Sequence, residues 1–260
     1  MTRRAAGLEY LGTRYSGWQA QQDRPSIQAE VERALAAVAA HPVPTQAAGR
    51  TDAGVHAAGQ VIHFDSNALR NDQAWILGVN SNLPADISLR WVVEVTDGFS
   101  ARHSALSRRY RYVIHNHRAR SALLSGRTAW VTQRLDAGAM HRAAQALVGE
   151  YDFSAYRAAE CQSTTPMREV QEIGVRRSGD FVVLEIRANA FLHHMVRNIA
   201  GVLIEIGQGR RPESWAGEVL AGRDRTLAGM TAPAQGLCFL GPEYPAAHGL
   251  PGPALNGWVA

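Results

Sequence analysis

Residues 48–64 read AGRTDAGVHAAGQVIHF. Arg50, Asp52 and His56 stand there among glycines and alanines, and the stretch then runs into an apolar, strand-like segment. Three readings of this turn compete. In the first it has no chemistry: Gly49, Gly54 and Gly59 supply backbone geometry, and Asp52 closes an Asx-turn. In the second, Asp52 and His56 belong to a metal or hydrolytic site. In the third, Asp52 is a carboxylate offered to a large substrate. Its small neighbours leave room for a bulky group, and Arg50 either holds the carboxylate ionised or reaches past it.

The rest of the chain bears on that choice. Its 260 residues are enough for one large domain or two smaller ones. With 46% hydrophobic and 19% charged residues, a globular fold is expected. Two cysteines, Cys161 and Cys238, are too few and too far apart for a disulfide scaffold or a zinc cluster. The N-terminal MTRRAAGLEY has no apolar run suited to a signal peptide, and no stretch has the length of a membrane span. The expectation is a soluble, cytoplasmic protein. The net charge is +4, with a pI of about 9.4, and all 27 basic residues are arginine. Codon bias in a GC-rich genome accounts for the missing lysine as readily as function does. Arginine nevertheless grips phosphate bidentately and stacks on bases. Arg102, Arg108, Arg109, Arg111, Arg118, Arg120 and Arg127 fall close together, with His103, His115 and His117 among them.

The pattern of elements points to an α+β fold. Ala6–Leu11 reads as a strand, and Ser26 as the N-cap of a helix in which Ile27, Val31, Leu35 and Val38 recur at helical spacing. Val43–Ala48 and Gln60–Asp65 are strand-like, residues 72–81 helical, and Ile87–Val95 a further strand. This β-α-β-β-α-β order is that of a ferredoxin-like sheet with helices on one side. The second half repeats the plan: a strand at Arg109–His115, a helix over Leu135–Val148, and a hairpin of Val170–Val175 with Phe181–Ile186 turning at residues 177–180. A helix follows from Leu192 to Ile206, with Gly207 as its C-cap. Two α+β halves join near residues 97–107, with boundaries at 1–104 and 105–245. The Pro/Gly-rich tail 246–260 is expected to be extended or mobile.

The metal reading is weak, because Asp52 and His56 lack a third ligand at a recognisable spacing. His63 sits in a strand, where a lone histidine is more often structural. No G-x-S-x-G context supports a hydrolase triad.

GRTDAGVHA at residues 49–57 resembles the signature of the tRNA pseudouridine synthase A family. Companion segments resemble the same family in order: YLGTRYSGWQAQ, VNSNLPADI, FSARHSALSRRYRYVI, GEYDFSAYRA, ANAFLHHMVRNIAG and GLCFLGPEYP, over roughly residues 7–245. The resemblance implies the pseudouridine synthase fold: two ferredoxin-like or RRM-like halves, mostly antiparallel sheets, and an active-site cleft between them. It implies conversion of uridine to pseudouridine on the 3′ side of the tRNA anticodon stem-loop (tRNA positions 38, 39 or 40), by a homodimer, with no cofactor and no metal. Asp52 matches the essential aspartate. It either attacks C1′ or removes the 2′-proton, and the sequence does not separate the two. Arg50 matches an arginine that helps extrude the target base, because C1′ and N1 of a stacked nucleotide are out of reach. Tyr110 matches the active-site tyrosine, which stacks on the uracil and relays the C5 proton. Arg197 matches an arginine that pairs with the aspartate. Arg108 and Arg109 are candidates for the tRNA backbone, where contacts give affinity and register rather than sequence choice. His193 and His194 read as structural or phosphate-facing. Two rivals remain: an RNA-binding module that needs no Asp52, and a carboxylate-dependent nucleoside hydrolase.

Overall fold

The computed structural model describes residues 1–161 and 163–252, and these divide into two compact units. The first is Met1–Leu106 together with the described chain from Phe239; the second is Ser107–Cys238. Both are α+β.

In the first unit, β1 (Thr2–Tyr10) leads through a polar loop to Ser26. The Ser26 hydroxyl accepts a hydrogen bond from Ala29 N and starts α1 (Ile27–Ala39); such a cap contributes about 1 kcal/mol. The next strand, β2, is only Gln46–Ala47. The apolar run from Val43 reads longer than this, but Pro44 within it has no N–H to give to a ladder. β3 (His56–Ser66) starts well before the expected Gln60. Asn71 caps α2 (Asp72–Asn82), and β4 (Ile87–Glu94) follows. β3 and β4 flank β1, all antiparallel, and β2 pairs with β3. This is the ferredoxin-like arrangement that the element order implies.

Apolar side chains fill both faces of this sheet. On one, Phe64 of β3 meets Trp75 of α2 edge-on at 5.3 Å, both buried. Elsewhere Ala5, Ala48, Val61, Phe99 and Ala101 form a cluster with Trp91, Tyr244 and Leu250 packed against it. The tail expected to be extended or mobile is therefore folded where it is described. Ala246–His248 form a 3-10 turn, and the His248 ring lies edge-on to Phe99 at 5.1 Å. Residues 253–260 lie outside the described residues.

The second unit contains β5 (Ser107–Asn116), β6 (Ala129–Val131), α3 (Ala137–Ala144), β7 (Gly149–Asp152), β8 (Met167–Ser178), β9 (Phe181–Ala188), α4 (Met195–Gly207) and α5 (Trp215–Gly222). Its sheet runs β5-β9-β8-β7, antiparallel, with β6 parallel to the end of β5.

Several boundaries differ from the sequence pattern, each for a local reason. The Asp136 carboxylate accepts from Ala139 N and starts α3 later than Leu135, and a 3-10 turn at Gln145–Leu147 ends it. The hairpin turn is Gly179-Asp180 alone, with Gly179 at φ 56°, because Ser178 still pairs with Phe181. α4 begins at Met195 because His194 takes a left-handed φ of 62°. Gly207, expected as the C-cap, is the last helical residue; a Cβ there would lie 2.6 Å from Met140 Sδ, so the Met140 side chain of α3 packs directly on the glycine. The strand β10 (Leu237–Glu243) carries the chain back into the first unit from Phe239. There it lies so close to β3 that a Cβ on Gly59 would meet Leu240 O at 2.3 Å. The sequence reading keeps residues up to 245 in the second half, and the contacts divide the chain differently.

Candidate active site

Arg50 and Asp52 lie in the turn that enters β3. Val55 N donates to Asp52 O at 3.1 Å, and Gly54 takes φ 78°, a value open to glycine at little cost. Side chains and loops from elsewhere in the first unit hold this turn, mostly by its backbone and at Thr51 also by its side chain. Gln60 Nε2 donates to Gly49 O at 2.7 Å, and Tyr10 Oη lies 2.9 Å from Thr51 Oγ1. Trp18 N donates to Thr51 O at 2.9 Å, and Gly54 N to Tyr15 O at 3.3 Å. Tyr10, Trp18, Thr51 and Gln60 are buried, so water cannot substitute for these bonds. The bracing loop comes extremely close. A Cβ on Gly12 would sit 1.9 Å from Val55 O, and one on Gly17 2.7 Å from Thr51 O. Two glycines in YLGTRYSGW are thus explained by the turn they support. The backbone of Asp52 is immobilised while its side chain stays half-buried beside an exposed Ala53.

The two histidines of this region are structural. His56 is fully buried and its Nδ1 accepts from Gly12 N at 3.0 Å, which ties it to the bracing loop. His63 Nδ1 accepts from Ala101 N at 3.1 Å. Burial, followed by the nearby Arg3 charge, lowers the pKa of His63. Arg50 is exposed and takes part in no ion pair among the described residues.

In the second unit, Tyr110 lies on β5 opposite Ile186 and is 8% exposed. Its ring meets Phe191 edge-on at 5.0 Å. Tyr112, on the same parity, is fully buried, and its hydroxyl donates to Pro233 O at 2.9 Å. Burial pushes the Tyr112 phenol far above its usual pKa, so it stays protonated. Arg197 sits in the first turn of α4, half-buried and off the apolar stripe as its spacing implies; its Nε donates to Ala232 O at 2.9 Å. His193 and His194 place their rings 4.0 Å apart, and His193 O accepts from Ala158 N at 2.9 Å. Arg108 and Arg109 are partly committed within the unit. Arg108 donates to Asn189 O at 2.9 Å, and Arg109 lies 3.6 Å from Glu172, which Arg187 also approaches at 3.6 Å. Arg118, Arg120 and Arg127 are exposed.

Sequence reasoning did not single out Gln60, Tyr10, Phe191 or Asn198. The available signals were a lone amide in an apolar strand and a lone amide in an apolar helix stripe.

The comparisons with known proteins bear on these residues. A family model described as tRNA pseudouridine synthase matches residues 6–103 and 143–245. Arg50, Asp52 and Arg197 fall inside the matched spans, whereas Arg108, Arg109 and Tyr110 fall between them. The tRNA pseudouridine synthase A of Aeromonas hydrophila subsp. hydrophila is 57% identical over 249 residues, covering 96% of this chain and 93% of the relative. Those of Cronobacter sakazakii and Escherichia coli strain K12 are each 55% identical over 252 residues, covering 97% of this chain and 93% of theirs. Identity of this extent spans both the braced aspartate turn and the arginine helix, and the chain belongs to the tRNA pseudouridine synthase family.

Proposed function

We propose that this protein isomerises uridine to pseudouridine in tRNA, on the 3′ side of the anticodon stem-loop, and that it acts as a homodimer without a cofactor. The observation that carries the reading is the GRTDAGVHA turn: a carboxylate held through its backbone, with its side chain half-exposed among small residues, in a chain of this family. In the reaction the N1–C1′ bond breaks and C5–C1′ forms; C5 loses a proton and N1 gains one. Asp52 supplies an ionised carboxylate, which both attack at C1′ and removal of the 2′-proton require. Arg50, exposed and unpaired with Asp52, occupies the gap left by the flipped nucleotide and offsets part of the unstacking, on the order of a few kcal/mol. Tyr110 stacks on the uracil and relays the C5 proton, its hydroxyl accepting that proton as it passes its own on. Arg197 supplies positive charge for the reacting carboxylate. Arg108 and Arg109 contact tRNA phosphates, with Arg109 exchanging Glu172 for the RNA.

No helix among the described residues is long and apolar enough to cross a membrane, and a cytoplasmic location suits a tRNA-modifying role. The test uses tRNA carrying tritium at C5 of uridine. Tritium release with the base retained in the RNA is the expected result. Release of free uracil would identify a nucleoside hydrolase, and tRNA binding without tritium release an RNA-binding module.

A further inference from the structure

Residues 228–233 form no helix or strand, yet they lie along α4 at the level of Arg197. A Cβ on Gly201, one turn further along the helix, would sit 1.9 Å from Met230 O. Ala232 is bonded to Arg197 at both ends: Ala232 N donates to Arg197 O at 3.1 Å, and Arg197 Nε donates to Ala232 O at 2.9 Å. The next carbonyl, Pro233 O, accepts from the Tyr112 hydroxyl at 2.9 Å. The segment therefore links the Arg197 side chain to the tyrosine strand.

A segment without secondary structure needs other groups to set its position, and Arg225 supplies them. Its Nη1 donates to Ala228 O at 3.3 Å and Gly229 O at 3.1 Å; its Nη2 donates to Thr231 Oγ1 at 3.1 Å and to Asn198 Oδ1 at 3.2 Å. Thr231 Oγ1 donates to the same Asn198 oxygen at 2.6 Å. Asn198 is fully buried, follows Arg197 on the helix, and donates through Nδ2 to Tyr156 O at 2.8 Å. Four divergent donors on a rigid plane do what an ammonium on a flexible stem cannot. The consequence for Arg197 is geometric. A guanidinium is planar, so holding Nε–H on the Ala232 carbonyl also sets the directions of both Nη groups.

We infer that Arg225 is a positioning residue for Arg197, acting through Thr231, Asn198 and the Ala232 carbonyl. The inference rests on the catalytic role proposed for Arg197. A misplacement of about 1 Å at a charged group near the reaction costs on the order of 100-fold in rate.

Two variants test it, Arg225→Lys and the milder Thr231→Val, each with two readouts. The first needs no activity. The Arg197 Nε–H resonance, identified by its absence in Arg197→Ala, is followed in protein labelled with nitrogen-15 arginine. Its exchange with water should quicken about tenfold or more when the brace is loosened. The second is single-turnover pseudouridine formation beside tRNA affinity. The rate should fall about 10–100-fold with the Kd changed less than about twofold. In an Arg197→Ala background the same substitutions should cost nothing further in rate. Unchanged exchange and rate in both variants, or a rate loss that adds in full to that of Arg197→Ala, would overturn the inference. Quickened exchange with an unchanged rate would support the brace and overturn instead the catalytic role assigned to Arg197.

Discussion

At the Asp52 turn the residue with left-handed backbone is a glycine, Gly54 at φ 78°; at the start of α4 it is a histidine, His194 at φ 62°. The first costs little, whereas an L-residue there costs roughly 1–2 kcal/mol. The supports differ accordingly. The turn is held mainly through its own backbone by Gln60, Tyr10 and the loop at Gly12–Trp18. The α4 start is held by bonds to irregular segments, from Ala158 N to His193 O and between Ala232 and Arg197. An unstrained turn built from glycines announces itself in a sequence. A strained helix start, held in place by distant loops, does not.

Asp52→Asn is the largest way to separate the two regions. The turn's hydrogen bond from Val55 N uses the backbone carbonyl of Asp52, so the fold should survive. Turnover should drop by roughly four orders of magnitude or more, with tRNA binding nearly intact. Single-turnover rates and binding titrations decide this, and retention of more than a small fraction of activity would remove Asp52 from the chemistry.

Tyr110→Phe comes next. It keeps the ring against Phe191 and removes only the hydroxyl. We expect a rate about 100-fold lower, in the step that releases the C5 proton, at unchanged affinity. Were affinity to fall in parallel with rate, Tyr110 would be a binding residue instead.

Gly54→Ala puts a Cβ where φ is 78° and should destabilise the protein by about 1–2 kcal/mol in chemical denaturation. Its rate loss should exceed any loss of tRNA affinity, because the strain falls on the turn that carries Asp52. Equal stability of the variant and the parent would mean that this turn does not depend on glycine.

The smallest effect calibrates the others. Ala40 ends α1 exposed, at φ 60°. Ala40→Gly should therefore stabilise the protein by about 1 kcal/mol and leave the rate alone. No gain there would undercut the energetic contrast drawn between Gly54 and His194.

Much of the first unit was legible in its residues. Ser26 marks a helix start because its side chain satisfies an orphan N–H group, a strictly local bond. β4 comes near the alternation of a half-buried strand, whereas β1 and β3 carry continuous buried runs because the sheet is covered on both faces. The regions that escaped depend on partners far away in the chain. β6 and β7 are a few residues each, too short for a period, and exist through pairing with β5 and β8. Gly207 reads as a helix cap and is in fact a packing residue, because only the folded chain brings Met140 against it.

The sequence by itself determined the α+β class, the order of the main elements, and the family, through ordered motifs whose glycines and charges serve local geometry and chemistry. Tertiary structure alone decided which groups hold those motifs in place. Gln60 reaches back to Gly49, Gly12 abuts Val55, and Arg225 gathers residues 228–231 beside Asn198. A helix cap or a left-handed glycine is specified by neighbours within a turn. A buried carbonyl accepts a donor from any distance along the chain, and the sequence does not say which one the fold will bring.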